Sequence, residues 1–303
     1  MENTALGSAT QRGALWSQLV ARSVAAQAEG HQYSLPTHGE WFEDEGLHYL
    51  IRVVDNLSRK DQDRLAAAHV ADEKAHPFSP FLPPEEHLFV SDLSATHFAV
   101  LNKFNVLDNH LLVVTREFEE QDKPLNAADF DALWRCLSDF PSLGFYNGGE
   151  DSGASQRHKH LQLVPLDSGD PTHWLPWLEH YDRAMRPGEI TQAPELTFSH
   201  ALIGLEISEP ELAGTQLEAA YWALIHHLGW VEGDPRQRRP RPYNLLVTTH
   251  WMVLIPRIRE CWNGLSINAL AFIGALLVRN EEQKNALREI GPRRALQSIC
   301  ATI

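Results

Sequence analysis

The amino-acid sequence predicts an α+β fold, a mostly antiparallel sheet with helices packed on it. Short apolar runs of strand length recur at 88–93, 97–101, 109–115, 243–248 and 251–256, and they read as strands of one sheet. Stretches with apolar residues near a 3.6 period, at 13–29, 127–139 and 211–228, supply helices to cover it. With 303 residues, 43% of them hydrophobic, the chain can bury a substantial core as one large domain or two intimate ones.

Leu15, Leu19, Val20 and Val24 carry the helical spacing of the first segment, and 65–70 could add another turn or two, so about the first 75 residues read as a helical extension. The run from Pro77 to Pro84 cannot continue a helix and leads into the first strands. Asn126 is placed to cap a helix over 127–139, with Pro141 and Gly144 stopping it. Phe145-Tyr146 and 160–164 read as two further strands, joined through the turn-rich loop Asn147-Gly148-Gly149-Glu150-Asp151-Ser152-Gly153. An irregular insertion rich in Pro, Gly, Asp and Trp, with a short helix near 177–185, fills 167–194. Beyond it come a strand at 199–207, the 211–228 helix, the strand pair and a final long helix at 263–279. The expectation is a single catalytic domain over 1–303 whose core comprises about 80–166 and 195–290.

Charge and cysteine content narrow the function. A formal charge of −14 argues against nucleic acid, because polyanion binding through a general field needs an excess of Lys and Arg along the phosphates. Cys136, Cys261 and Cys300 are few and far apart, which fits a reducing cytoplasm better than a disulfide framework. Residues 1–12 lack the pattern of an export signal, and the most apolar run, 265–278, is too short for a bilayer, so no membrane role is expected.

The chemistry concentrates in one stretch. If 158–164 is extended, the two-residue period puts His158, His160 and Gln162 on one face and Lys159, Leu161 and Leu163 on the other. A neutral imidazole, with an ordinary pKa of about 6.5, can attack phosphorus without first losing a proton. The adjoining Ser152-Gly153-Ala154-Ser155 can offer backbone N–H groups and hydroxyls to phosphate oxygens, Gln162 an amide hydrogen, and His158 can orient or donate. Donors without net charge reconcile a polyphosphate substrate with an acidic protein. The same spacing also suits a zinc-dependent hydrolase with His158 and His160 as ligands, or a binding protein that senses nucleotides without turnover.

His158-Lys159-His160-Leu161-Gln162 resembles the His-x-His-x-Gln motif of the transferase branch of the histidine triad (HIT) superfamily. Asn102-Lys103-Phe104-Asn105-Val106, the stretch from Asn109 to Thr115, and Tyr243-Asn244-Leu245-Leu246-Val247 are similar to the diadenosine tetraphosphate phosphorylases, also called ATP adenylyltransferases. The likeness runs over roughly 80–279. It implies a HIT-like, galactose-1-phosphate uridylyltransferase-like fold and reversible phosphorolysis of diadenosine tetraphosphate to ATP and ADP, with the second histidine, His160, carrying AMP. By the same resemblance Asn147, Gly153, Ala154, Ser155 and Gln156 touch phosphates, Lys103 offsets their charge, and Asn105, His110 and Asn244 lie nearby. No tightly bound cofactor is implied, only a divalent cation such as Mg2+ accompanying the nucleotide, and the partners are dinucleoside polyphosphates, ATP, ADP and phosphate. Arg157 stands where the family usually has proline. A hexose-1-phosphate uridylyltransferase shares the nucleophile motif and is the neighbouring alternative.

Overall fold

The computed structural model describes residues 13–54, 79–166, 175–230 and 240–301. The first half holds α1 (Ala14–Glu29), β1 (Thr37–Asp44), β2 (Leu47–Val54), β3 (Phe89–Asp92), β4 (His97–Leu101), β5 (Leu111–Thr115), α2 (Ala127–Asp139), β6 (Ser142–Gly148) and β7 (His160–Pro165). The second holds α3 (Leu178–Ala184), β8 (Ile190–Thr191), β9 (Ala201–Gly204), α4 (Ala213–His227), β10 (Tyr243–Val247) and β11 (Trp251–Pro256). It ends with β12 (Cys261–Trp262), β13 (Leu265–Ser266), β14 (Ala275–Val278), α5 (Glu281–Ile290) and α6 (Pro292–Ile299).

Among the described residues, nine strands form one sheet in the order β3-β4-β5-β7-β6-β10-β11-β9-β8, every neighbouring pair antiparallel. Strand alternation then sorts side chains between two cores. Leu111, Val113, Leu161, Leu163, Tyr146, Leu245 and Leu254 pack beneath α1, α2 and α4, with Leu19, Phe130, Leu133, Leu217 and Leu224. On the opposite face Leu143, Phe145, Val164 and Leu246 pack against β2, β14 and the C-terminal helices, through Tyr49, Ile51, Leu276, Leu287 and Leu296. That second cover leaves β4 and β5 to a small cluster of Phe81, Phe98, Val100, Leu112 and Val114, and a cavity opens here.

The 127–139 helix forms as its sequence requires. Asn126 accepts the N–H groups of Ala128 and Asp129, and Asp129 accepts the N–H of Asn126, a capping box closed on both sides. At its far end Asp139 takes the Leu15 and Trp16 N–H groups, so the tail of α2 caps the head of α1.

Three expectations need correction, and 65–70 lies outside the described residues. The segment before residue 75 is not only helical, because β1 and β2 form a hairpin. Its alternation is masked by acidic residues on the packed side, where Glu40 pairs with Lys284 and Arg288. The 263–279 run is not a helix. Asn263 and Gly264 adopt φ of 45° and 73° to turn the β12–β13 hairpin, a 3-10 segment follows at Ala269–Ile273, and β14 then pairs parallel with β2. The short helix near 177–185 forms as α3, but over its described part the 167–194 stretch is not an irregular insertion, since Trp177 and Tyr181 are core residues and β8 extends the main sheet; 167–174 lies outside the described residues.

Candidate active site

His160 and Gln162 lie on β7, between β5 and β6, with Val114 opposite His160 and both Leu112 and Phe145 opposite Gln162. On β6 and β10 the same face presents Asn147 opposite Asn244. Near His160 a side chain replaces ladder hydrogen bonds: Gln121 accepts the His160 N–H at 2.8 Å and donates to the carbonyls of Asn147 (3.0 Å) and His160 (3.1 Å). Tyr146 in turn donates its hydroxyl to the Gln121 carbonyl.

The two motif histidines have different jobs. His160 Nδ1 lies 2.8 Å from the His158 carbonyl, which only accepts, so Nδ1 carries the proton and Nε2 keeps its lone pair. Burial of the ring, 4% exposed, pushes its pKa down to about 4, and the bond to the carbonyl only partly offsets this. His160 is therefore neutral at pH 7, with one unspent nitrogen at the cavity. His158 has none, because Nε2–H points at the Thr115 carbonyl and hydroxyl oxygens (both 2.9 Å) and Nδ1 accepts from Ser79 Oγ at 2.6 Å. It holds the strand and its neighbour, but neither of its nitrogens is free to reach a phosphate.

Gln162 is oriented by a chain of bonds with one self-consistent polarity. Asn102 Oδ1 accepts the Phe104 N–H (3.3 Å), Asn102 Nδ2 donates to His110 Nδ1 (3.1 Å), and His110 Nε2–H donates to Gln162 Oε1 (3.0 Å). Burial pushes His110 down to about 4, which keeps it in the neutral form the chain needs. The Gln162 amide N–H groups are left for a ligand.

The cavity measures about 310 Å³. Phe81, Leu88, Val100, Phe104 and Leu112 give it apolar walls, and Asn102, Lys103, Glu85, Ser155, Gln156, His160 and Gln162 give it polar ones. Lys103 is paired to Glu85 at 2.8 Å, so this cation brings little uncompensated charge.

Behind the cavity the glycine loop is anchored rather than loose. Gly153 has φ of 88°, and a Cβ there would stand 2.9 Å from the Ile267 carbonyl, so only glycine fits both the turn and the space. Asn244 donates to Asn147 Oδ1 and to the Ser152 carbonyl, both at 2.8 Å, and buried Arg257 reaches Asn244 and the Ile267 carbonyl. Asn147 Oδ1 also accepts the Ala269 N–H at 3.1 Å.

Of the residues singled out from sequence, His160, Gln162, Lys103, Ser155 and Gln156 line the cavity. His110 stands one step behind, as the group that aims Gln162. Gly153, Ala154, Asn147 and Asn244 shape the loop from outside the lining. Asn105 does neither: it accepts from Ser34 and donates to the Leu107 carbonyl, fastening the chain after α1. Sequence reasoning missed Gln121, Ser79 and Thr115 as supports and Phe81 as a wall, and polar residues in turns or a proline-rich run carry no signal for such roles. Among the described residues, the His/Cys/Asp/Glu clusters close enough to share an ion are Glu29, His31, His87 and His38, Glu40, Glu281, neither of which includes a motif histidine. With both nitrogens of His158 engaged, the pair does not present two lone pairs to one metal.

The profile of the Ap4A phosphorylase N-terminal domain matches residues 6–180, and that of the ATP adenylyltransferase C-terminal domain matches 194–302. Diadenosine 5',5'''-P1,P4-tetraphosphate phosphorylase 2 of Saccharomyces cerevisiae is 28% identical over 298 residues, covering 88% of this chain and 87% of its own. The crystal structure of yeast Ap4A phosphorylase Apa2 in complex with AMP superposes with a TM-score of 0.74 at 25% identity, over 95% of this chain and 96% of that one. The same yeast protein in complex with Ap4A gives a TM-score of 0.70 at 24% identity, over 95% and 97%, and shares the fold.

Proposed function

The two matched regions together span nearly the whole chain, which therefore belongs to the Ap4A phosphorylase and ATP adenylyltransferase family, and we propose that it splits diadenosine tetraphosphate (Ap4A) with phosphate into ATP and ADP through AMP carried on His160. The observation that carries this reading is His160 itself, a buried, neutral imidazole whose Nδ1–H is spent on the His158 carbonyl and whose Nε2 is at the cavity.

The Nε2 lone pair attacks the α-phosphorus of one adenosine. The bond from that phosphorus to the bridging oxygen breaks, and its electrons leave on the terminal phosphate of ATP. With a last phosphate pKa of about 6, this group departs without an acid. Nδ1 keeps its proton, so the positive charge growing on the ring is held by the His158 carbonyl. Inorganic phosphate then attacks the same phosphorus, the P–N bond returns its electrons to Nε2, and ADP leaves. Gln162 is aimed to give an amide hydrogen to a nonbridging oxygen, and Ser155 and Gln156 line the polyphosphate side.

A magnesium ion would ride on the polyphosphate oxygens rather than on the protein, since Glu85, the one carboxylate among the described residues lining the cavity, is engaged by Lys103. Phosphate, ADP and ATP are the remaining ligands this cycle requires. A cytoplasmic location fits those nucleotides and the unpaired Cys136, Cys261 and Cys300. No described helix is long and apolar enough to cross a membrane.

The test is to incubate the protein with α-labelled Ap4A in the absence of phosphate. Acid-labile AMP should appear on the wild type, leave as ADP when phosphate is added, and never appear on His160→Ala. Labelling of that variant would overturn the reading.

A further inference from the structure

We infer that Phe118 is the platform on which the second nucleobase of the dinucleotide stacks, the base that departs with ATP; the inference rests on the Ap4A reading above. At about 310 Å³ the cavity is at the low end of ligand pockets and has room for one nucleoside monophosphate, so the other half of Ap4A must lie outside it.

The route out is marked by aromatic rings. Phe81, a wall of the cavity, sits 5.1 Å from the His160 ring and 5.7 Å from that of His158. The His158 ring meets Phe118 on its own account, at 5.3 Å between centroids. Phe118 lies just past the end of β5, on a segment that runs antiparallel to 157–158 and pairs with it where Glu120 faces His158. It is 43% exposed, and of the large apolar side chains left this open among the described residues it is the one packed on a motif histidine.

Reach agrees with this placement. His158 and His160 are two residues apart on one strand face, about 6.6 Å, and Phe118 is one ring contact further. Three phosphates and a ribose span that distance. In-line departure from Nε2 sets the direction of the first broken bond alone, and the remaining P–O–P links can turn along the strand face. Arg157, 80% exposed and paired to Glu120, precedes His158 in the chain and brings no uncompensated charge to this route. It occupies the position where the family usually has proline.

Adenosine 5'-tetraphosphate is the discriminating probe, because it keeps the cavity nucleoside and all four phosphates but lacks the second adenosine, base and ribose together. Dissociation constants for it and for Ap4A, measured by calorimetry without added phosphate on the His160→Ala background, give a preference ratio that no turnover can disturb. The ratio should favour Ap4A and should shrink about tenfold in Phe118→Ala, the size of one base–aromatic stack. Phe118→Trp should restore it. An unchanged ratio in Phe118→Ala, or equal affinity for both probes before substitution, would overturn the platform. Failure of labelling in the earlier experiment, with the ratio behaving as expected, would overturn the phosphorolysis reading and leave the platform standing.

Discussion

A histidine that attacks phosphorus must stay unprotonated, and burial secures this for His160 by removing the water that would solvate its imidazolium. The sign is definite: above its lowered pKa of about 4 the ring is neutral and reactive, and below it the Nε2 lone pair is lost to a proton. Ap4A itself, the substrate of label transfer in the absence of phosphate, carries no phosphate monoester that titrates near neutrality. The rate of label transfer should be level from about pH 8 to about pH 5 and fall by half near pH 4; a half-loss near 6.5, the ordinary value, would show that His160 is solvated in the working enzyme. At this scale the sequence is informative where period-two alternation applies. His158, His160 and Gln162 share a face because strands demand it. What alternation cannot reveal is the division of labour, since the bonds that disarm His158 and aim Gln162 come from Ser79, Thr115, Asn102 and His110, and only folding brings these to β7.

Between elements, the side of β7 facing away from the cavity is fastened to α2 by charge as well as by the apolar packing of Leu161 and Leu163. Lys159, fully buried, donates to Asp129 at 2.8 Å and to the Pro124 carbonyl at 3.0 Å, and the other Asp129 oxygen meets His97 Nε2 at 3.0 Å. Burial alone would raise the Asp129 carboxyl; His97, Lys159 and the Asn126 N–H overcome it and hold the group below its ordinary value. Removing one partner strands the other, so Asp129→Ala should lose about 3–5 kcal/mol in denaturant unfolding. A loss below about 1 kcal/mol would mean that Lys159 recruits water and is not truly enclosed. The same helix shows why element boundaries can be read locally: Asn126 and Asp129 write its start into four residues. The β1–β2 hairpin and the 263–279 run were not legible, because one hides its period behind ion pairs with α5 and the other turns at Asn263-Gly264 inside an apolar stretch that mimics a helix.

In the whole molecule, the regions matched by the two family profiles are not two sites side by side. β6 from the first pairs with β10 from the second along five residues, and Asn147, Asn244 and Arg257 carry that junction into the glycine loop. The chain also carries a formal charge of −14 while binding polyanions. Among the described residues the cations near the site are already matched, Lys103 by Glu85 and Arg157 by Glu120, which leaves N–H dipoles to meet the phosphates. Dipoles displace few counterions. Ionic strength should therefore matter little to this enzyme: where a protein neutralising six to ten phosphates loses about 10³–10⁵ in affinity between 50 and 200 mM salt, its KM for Ap4A should move less than about threefold over the same range, a steeper dependence being the mark of lysines and arginines freed from their carboxylates.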